Sequence, residues 1–213
     1  DAAGGDYYDY ERTADGRHWF CIGDVSGHGL TPGLVMLMAQ SAFRTALSLD
    51  PGASPAKIVS HVNRTLYSNI HDRLRDGFYM TCSVYTADER GIFSFAGAHL
   101  DTLLYRARGR YVEHLPVEGM WLGVVPDIDP ETTIRTFRLD PGDALVLYTD
   151  GLTEARDAGH EQYGVERFKA QILAHGGKNA DELRLHLLED VYGFMAGQGD
   201  DITLYVVKPR FAG

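Results

Sequence analysis

Four short stretches of this chain set an aspartate beside glycine at the edge of an apolar run. They are Gly4-Gly5-Asp6, Gly23-Asp24-Val25-Ser26-Gly27-His28-Gly29, Tyr148-Thr149-Asp150-Gly151 and Gly199-Asp200-Asp201-Ile202-Thr203. A strand inside a core holds its terminal residue rigidly, and a neighbouring glycine lets backbone approach an ion or ligand closely. Carboxylates gathered together repel one another unless a cation neutralises them. Hard oxygen donors suit Mg²⁺ or Mn²⁺ rather than zinc, and two such ions can activate a water and hold a phosphate for in-line attack.

Taken singly, each motif also reads as an ordinary turn, because aspartate next to glycine is common turn chemistry. The weight lies in the four together, in this order. Other chemistries find less support. Ser26 beside Asp24 defines no Ser-His-Asp arrangement from sequence. The Gly23–Gly29 segment lacks the Gly-Lys-Ser/Thr ending of a phosphate-binding P-loop. His28 could protonate a leaving oxygen, but a loop histidine among glycines reads first as structural.

Bulk properties narrow the class. The chain has 213 residues, 44% of them hydrophobic, enough for one buried core, so a single domain spanning 1–213 is expected. A net charge of −10 argues against nucleic acid and against an anionic membrane surface. Cys21 and Cys82 sit inside apolar strand-like runs and read as free buried thiols, which fits a reducing, cytoplasmic setting. No signal-peptide pattern opens the chain, and the longest apolar run, Gly33 to Ala39, is too short to span a bilayer. The abrupt opening at Asp1, with no lead-in strand, reads as a domain cut from a longer signalling protein.

The elements that must position the aspartates follow from periodicity. Tyr7 to Thr13 and His18 to Val25 read as a hairpin around the Ala14–Arg17 turn. Thr31-Pro32 reads as a helix start with a capping hydroxyl, followed by an almost all-round apolar, deeply packed helix through Leu47. Ser54-Pro55 starts a second helix carrying Ile58, Val59, Val62, Leu66 and Ile70. Strands are expected over Phe78–Thr86, Ile92–Ala98, Thr102–Arg106, Tyr111–Leu115, Thr132–Leu139 and Ala144–Thr149, with Pro141-Gly142-Asp143 as a turn. Two late helices, Val165–His175 and Ala180–Met195, precede a last strand, Ile202–Lys208. The Met36/Met38 and Leu183–Leu188 stripes read as core. An α+β class results, most economically antiparallel sheets with a helix pair on each outer face, although periodicity leaves other α+β arrangements open.

The four motifs in this order, extended to Gly4-Gly5-Asp6-Tyr7-Tyr8-Asp9 and Tyr148-Thr149-Asp150-Gly151-Leu152-Thr153-Glu154-Ala155, resemble the SpoIIE/RsbU branch of the PP2C-like metal-dependent protein phosphatases. Trp121-Leu122-Gly123 and Pro141-Gly142-Asp143 fit the same pattern. The resemblance implies a four-layer α-β-β-α sandwich of two antiparallel sheets. It implies two Mn²⁺ or Mg²⁺ ions, with Asp24 bridging them, the Val25 carbonyl on one, Asp150 and Asp200 on the other, and Asp6 directly or through water. A hydroxide bridging the ions would attack phosphorus, and Asp201 would support the site from behind. Substrates would be phosphoserine or phosphothreonine on a small regulatory protein, notably an anti-sigma-factor antagonist. An upstream sensor domain would act through the helix pair Thr31–Arg73, often with homodimerisation.

The chain departs from the pattern at Thr31-Pro32-Gly33, where relatives carry Pro-Ala-Ala. It departs again at Ala96-Gly97-Ala98-His99-Leu100-Asp101, where they carry Ala-Gly-His-Pro. An arginine that binds phosphate in eukaryotic relatives would fall before residue 1. The altered helix start at Gly33 and the missing lead-in strand leave a second reading, a signalling or binding module that keeps the fold with little or no turnover.

Overall fold

A computed structural model describes residues 4–209, so the expectation for the chain's first residues lies partly outside the described ones. The chain divides into two compact units, one of the residues up to His99 with Val117–Phe137, the other of Leu100–Pro116 with the residues from Arg138 onward.

The first unit holds strands β1 (Asp6–Arg12), β2 (His18–Val25), β3 (Met80–Ala87) and β4 (Ile92–Ala98), with β7 (Arg135–Arg138) at the far edge, in the order β1-β2-β3-β4-β7. The first four pair antiparallel. Two helices serve this sheet, α1 (Leu30–Leu49) and α2 (Pro55–Ser68). Ser54 caps α2 as expected, its side chain accepting from the Lys57 N–H. At α1 the expectation fails. Gly29 is the cap residue and makes no side-chain bond, and Thr31 already lies in the first turn. Nor is α1 packed all round. Val35, Ala39, Phe43, Ala46 and Leu47 face the core, while Leu34 and Leu37 are exposed. Five consecutive apolar residues hid an ordinary amphipathic stripe. A groove of about 760 Å³ opens between the two helices, lined by Leu34, Leu37, Met38, Leu49, His61 and Arg64.

The helix-facing side of the sheet packs Trp19, Cys21, Val25, Met80, Cys82 and Val84 against the α1 and α2 stripes. Both cysteines are buried and free. The opposite side carries Phe20, Phe93, Phe95, Tyr85 and Phe137, all buried, with Phe93 stacked on Phe137 at 5.0 Å.

The second unit is built on β5 (Thr102–Arg106), β6 (Tyr111–Leu115), β8 (Ala144–Tyr148) and β9 (Leu204–Val207), in the order β6-β5-β8-β9. Every residue of β8 is buried, which explains its unbroken apolar sequence. After it come a single turn, α3 (Asp150–Thr153), and the paired helices α4 (Val165–His175) and α5 (Ala180–Phe194). Phe168 and Ile172 of α4 and Leu183, Leu187 and Val191 of α5 close over Leu103, Tyr105, Val146 and Tyr148. The fold class is therefore α+β, with two antiparallel sheets and a helix pair in each unit. The turn before β8 is held by buried Asp143, which accepts from the Ala107 N–H at 2.8 Å and from Arg106 Nη1 at 2.9 Å.

Strand ends moved by a few residues. Phe78–Thr86 became Met80–Ala87. Thr132–Leu139 shortened to Arg135–Arg138, preceded by a 3₁₀ turn at Asp129–Glu131.

Candidate functional site

In the first unit, pairing of β1 with β2 sets Asp6 opposite Asp24. The approach is tight. A Cβ added at Gly5 would lie 2.6 Å from the Val25 carbonyl oxygen and 2.8 Å from Asp24 Oδ1, so only glycine admits this contact. The Val25 N–H donates to the Gly5 carbonyl at 3.2 Å. On the other side, a Cβ at Gly23 would lie 2.2 Å from the Thr81 carbonyl. Thr81 Oγ1 meets the Asp24 N–H at 3.2 Å and His99 Nδ1 at 2.9 Å. Beyond Val25 the chain turns out of the sheet, held by a reciprocal pair: the Ser26 N–H donates to the Tyr79 carbonyl at 2.9 Å, and the Tyr79 N–H to Ser26 Oγ at 3.1 Å. Gly27 and Gly29 carry the turn at positive φ, and His28 is exposed in it.

Asp9, the other acid of the opening motif, has a different occupation. It is buried against Arg44, whose Nε donates to it at 2.8 Å, and this tethers α1 to β1.

In the second unit, Thr149 joins the end of β8 to the approach to β9. Its N–H donates to the Thr203 carbonyl at 3.1 Å, and its hydroxyl accepts from the Thr203 N–H at 2.9 Å. This clamp sets Asp150, the first residue of α3, beside the Asp200–Asp201 segment. A Cβ at Gly151 would come 2.0 Å from the Asp201 carbonyl and 3.3 Å from Asp200 Cβ. Asp200 is exposed, with Oδ1 accepting from the Asp201 N–H at 2.8 Å. A cavity of about 250 Å³ opens there, lined by Glu154, Arg156, Met195, Gln198, Asp200 and Ile202. Burial, with the Asp101 charge adding to it, pushes the nearby Tyr148 phenol up to about 12, so it stays protonated at neutral pH.

Of the five expected ligands, Asp6, Asp24 and Val25 thus come together in one unit, and Asp150 and Asp200 in the other. Among the described residues, no three His, Cys, Asp or Glu side chains stand grouped closely enough to hold a metal. The donor set within each unit is nonetheless all oxygen, and glycine keeps backbone pressed against it, which suits a hard divalent cation. Thr81 and Tyr79 escaped the sequence reading because, inside a strand pattern, they carry no signal beyond β-propensity.

The model of the family "Stage II sporulation protein E (SpoIIE)" matches residues 14–210. The chain belongs to the SpoIIE family. Its match runs through both compact units and includes three of the four acidic motifs. Among curated relatives, the phosphoserine phosphatase RsbU of Bacillus subtilis is 26% identical over 209 residues, covering 97% of this chain and 59% of RsbU. The chain thus spans about three-fifths of that relative's length. Among solved structures, the SiaA-PP2C domain of Pseudomonas aeruginosa superposes with a TM-score of 0.80 at 25% identity, over 95% of this chain and 80% of that one. The RsbU and RsbW domains of Rv1364c from Mycobacterium tuberculosis give 0.82 at 27% identity, over 100% of this chain and 57% of that one. The fold is that of the PP2C-type domains.

Among the described residues, no helix is long and apolar enough to cross a membrane.

Proposed function

We propose that residues 1–213 form one phosphatase domain that hydrolyses phosphoserine or phosphothreonine on a partner protein with the help of two divalent cations. The observation that carries this is the pair of glycine-tight contacts, Gly5 on Asp24 and Val25 at a strand end and Gly151 on Asp200 and Asp201 at the start of α3, each presenting oxygen donors. Asp6, Asp24, the Val25 carbonyl, Asp150 and Asp200 are the residues assigned to hold the ions, Mn²⁺ or Mg²⁺. When bound, such ions supply an activated water and neutralise phosphate charge. The chain's own part is positional. The Thr81 hydroxyl fixes the Asp24 backbone, the Ser26–Tyr79 pair fixes the turn after Val25, and the Thr149–Thr203 clamp fixes Asp150. Asp201 supports the Asp200 loop through the carbonyl that packs on Gly151.

The phosphoserine phosphatase among the relatives supports a phosphoserine substrate, and we assign this chain a phosphorylated anti-sigma-factor antagonist, acted on in the cytoplasm. An upstream sensor domain and a second copy are the partners proposed for the α1–α2 face, where Leu34, Leu37 and Leu49 leave an apolar groove. The alternative of a module without turnover drew on the missing lead-in strand and on Gly33, yet Gly33 is buried in the first turn of α1 and its N–H donates to the Gly29 carbonyl at 3.4 Å.

The deciding experiment is phosphate release from p-nitrophenyl phosphate and from a phosphorylated anti-sigma-factor antagonist, with Mn²⁺ and with chelator. Turnover with Mn²⁺ and none with chelator is expected, and Asp24→Asn should lower turnover by about a hundredfold or more. Tight Mn²⁺ binding by the wild type without any hydrolysis would establish the alternative.

A further inference from the structure

Exposed apolar side chains are common on any protein surface, and this one shows Tyr8, Leu49, Tyr111 and Tyr192 among others. Trp121 differs from them in how it is held. Its indole is 47% exposed, and it stacks on Tyr79 with centroids 4.8 Å apart and planes 13° from parallel.

The residues beside it are fixed from several directions. Leu122 is fully buried and exchanges both backbone hydrogen bonds with Met80, at 2.8 and 2.9 Å. Gly123 turns the chain at φ +83, donates its N–H to Asn63 Oδ1 at 2.9 Å and offers its carbonyl to His71 Nε2 at 2.9 Å. The Asn63 amide, itself fully buried, also donates to the Val125 and Pro126 carbonyls. Two residues before Trp121, Gly119 lies so close to Gly97 that a Cβ would come 2.8 Å from its carbonyl. An exposed aromatic ring whose backbone and stacking partner are already ordered loses little further freedom on contact, which is the property of an interface anchor.

The anchor belongs to the same structure as the acidic turn. Tyr79, the ring beneath Trp121, is the residue whose backbone exchanges hydrogen bonds with Ser26, one position past Val25. A phosphoseryl side chain is short. A protein that delivers one to Asp24 would bring its own backbone close to this turn, and so close to Tyr79, the residue that carries the stack.

We infer that the Tyr79–Trp121 stack is a docking shelf for the protein substrate, taking an apolar side chain next to the phosphoserine. Trp121 is then a specificity residue that acts on protein substrates and not on small phosphate esters. The inference rests on the phosphatase reading above.

The test compares wild type, Trp121→Ala and Trp121→Phe on p-nitrophenyl phosphate and on a phosphorylated anti-sigma-factor antagonist, with melting curves and sedimentation as controls. In Trp121→Ala, kcat/KM for the phosphoprotein should fall about thirtyfold, mainly through KM, the equivalent of ~2 kcal/mol at an interface tryptophan. Aryl phosphate turnover should stay within about twofold, and Trp121→Phe, which keeps a ring on Tyr79, should recover most of the loss. Equal phosphoprotein kinetics in wild type and Trp121→Ala overturn the inference and leave the phosphatase reading intact. An equal loss on both substrates also overturns it, since Trp121 would then only support the Asp24 turn. A change in oligomeric state on Trp121→Ala assigns the shelf to a second copy instead. If the wild type hydrolyses neither substrate, the phosphatase reading itself fails. Aryl phosphate hydrolysis with no phosphoprotein hydrolysis by the wild type removes the protein-substrate assignment and the shelf with it.

Discussion

Glycines next to acids are not equivalent at the scale of single residues. Gly151 and Gly199 both flank proposed ligands, and the sequence presents them alike. A Cβ at Gly151 would strike the Asp201 carbonyl at 2.0 Å, whereas one at Gly199 would meet nothing within 4 Å. A backbone carbonyl two residues before the Thr149–Thr203 clamp cannot move aside as a flexible side chain could. Gly151→Ala should therefore destabilise the chain by about 1–3 kcal/mol, while Gly199→Ala stays within about 0.5 kcal/mol of wild type, both read from urea unfolding. Mn²⁺-dependent turnover should fall in Gly151→Ala even where the variant is fully folded, because Asp150 and the Asp200 segment separate. Similar unfolding midpoints for the two variants would remove the close-approach argument. Asp9 shows the same limit of local pattern. It belongs to the opening acidic motif, but only the fold reveals that Arg44 claims it, because the partner is 35 residues away in sequence.

Elements were legible wherever period and punctuation agreed. The strands His18–Val25, Ile92–Ala98, Thr102–Arg106 and Tyr111–Leu115 and the helix Val165–His175 stand where alternation or helical spacing sets them. The start of α1 was not legible, since a Thr-Pro pair imitates a cap inside a helix that begins at Leu30 and is capped by Gly29, two residues before Thr31. The one-turn α3 has too few residues to show any period. The late helix pair carries a feature that spacing did not suggest. His175 of α4 and His186 of α5 bring their rings within 4.4 Å. Burial, then the charges of His186 and Lys178, hold the His175 imidazole below its ordinary value, and Asp190 opposes them only in part. A base depressed in the folded state binds protons more readily once unfolded. The folded chain is therefore favoured fully above about pH 6.5, the unfolded value, and loses that stabilisation as pH falls through it. Urea midpoints should drop between pH 7.5 and pH 5 more in wild type than in His175→Gln. Parallel pH curves for the two would exclude His175 as a source.

For the whole molecule, the two compact units each have their own core, and no single hydrophobic cluster announces a site. The α+β class was readable because strands outnumber helices and the helices come in two pairs. The proposed ligands rest on the order of four motifs, since no period links residues 6, 24, 150 and 200. Ligands are proposed in each unit, so the effect of the ion on stability is tested with one substitution in each. A cation that binds only the folded state adds RT ln(1 + [L]/Kd), about 2.7 kcal/mol at a hundredfold excess over Kd. Gathering carboxylates in a chain of net charge −10 costs self-repulsion that the cation relieves, so the gain should be larger at low ionic strength. Mn²⁺ should raise the melting temperature of the wild type and leave that of Asp24→Asn and of Asp200→Asn nearly unchanged, although these two substitutions fall in different units. A gain that survives Asp200→Asn would remove Asp200 from the proposed ligands.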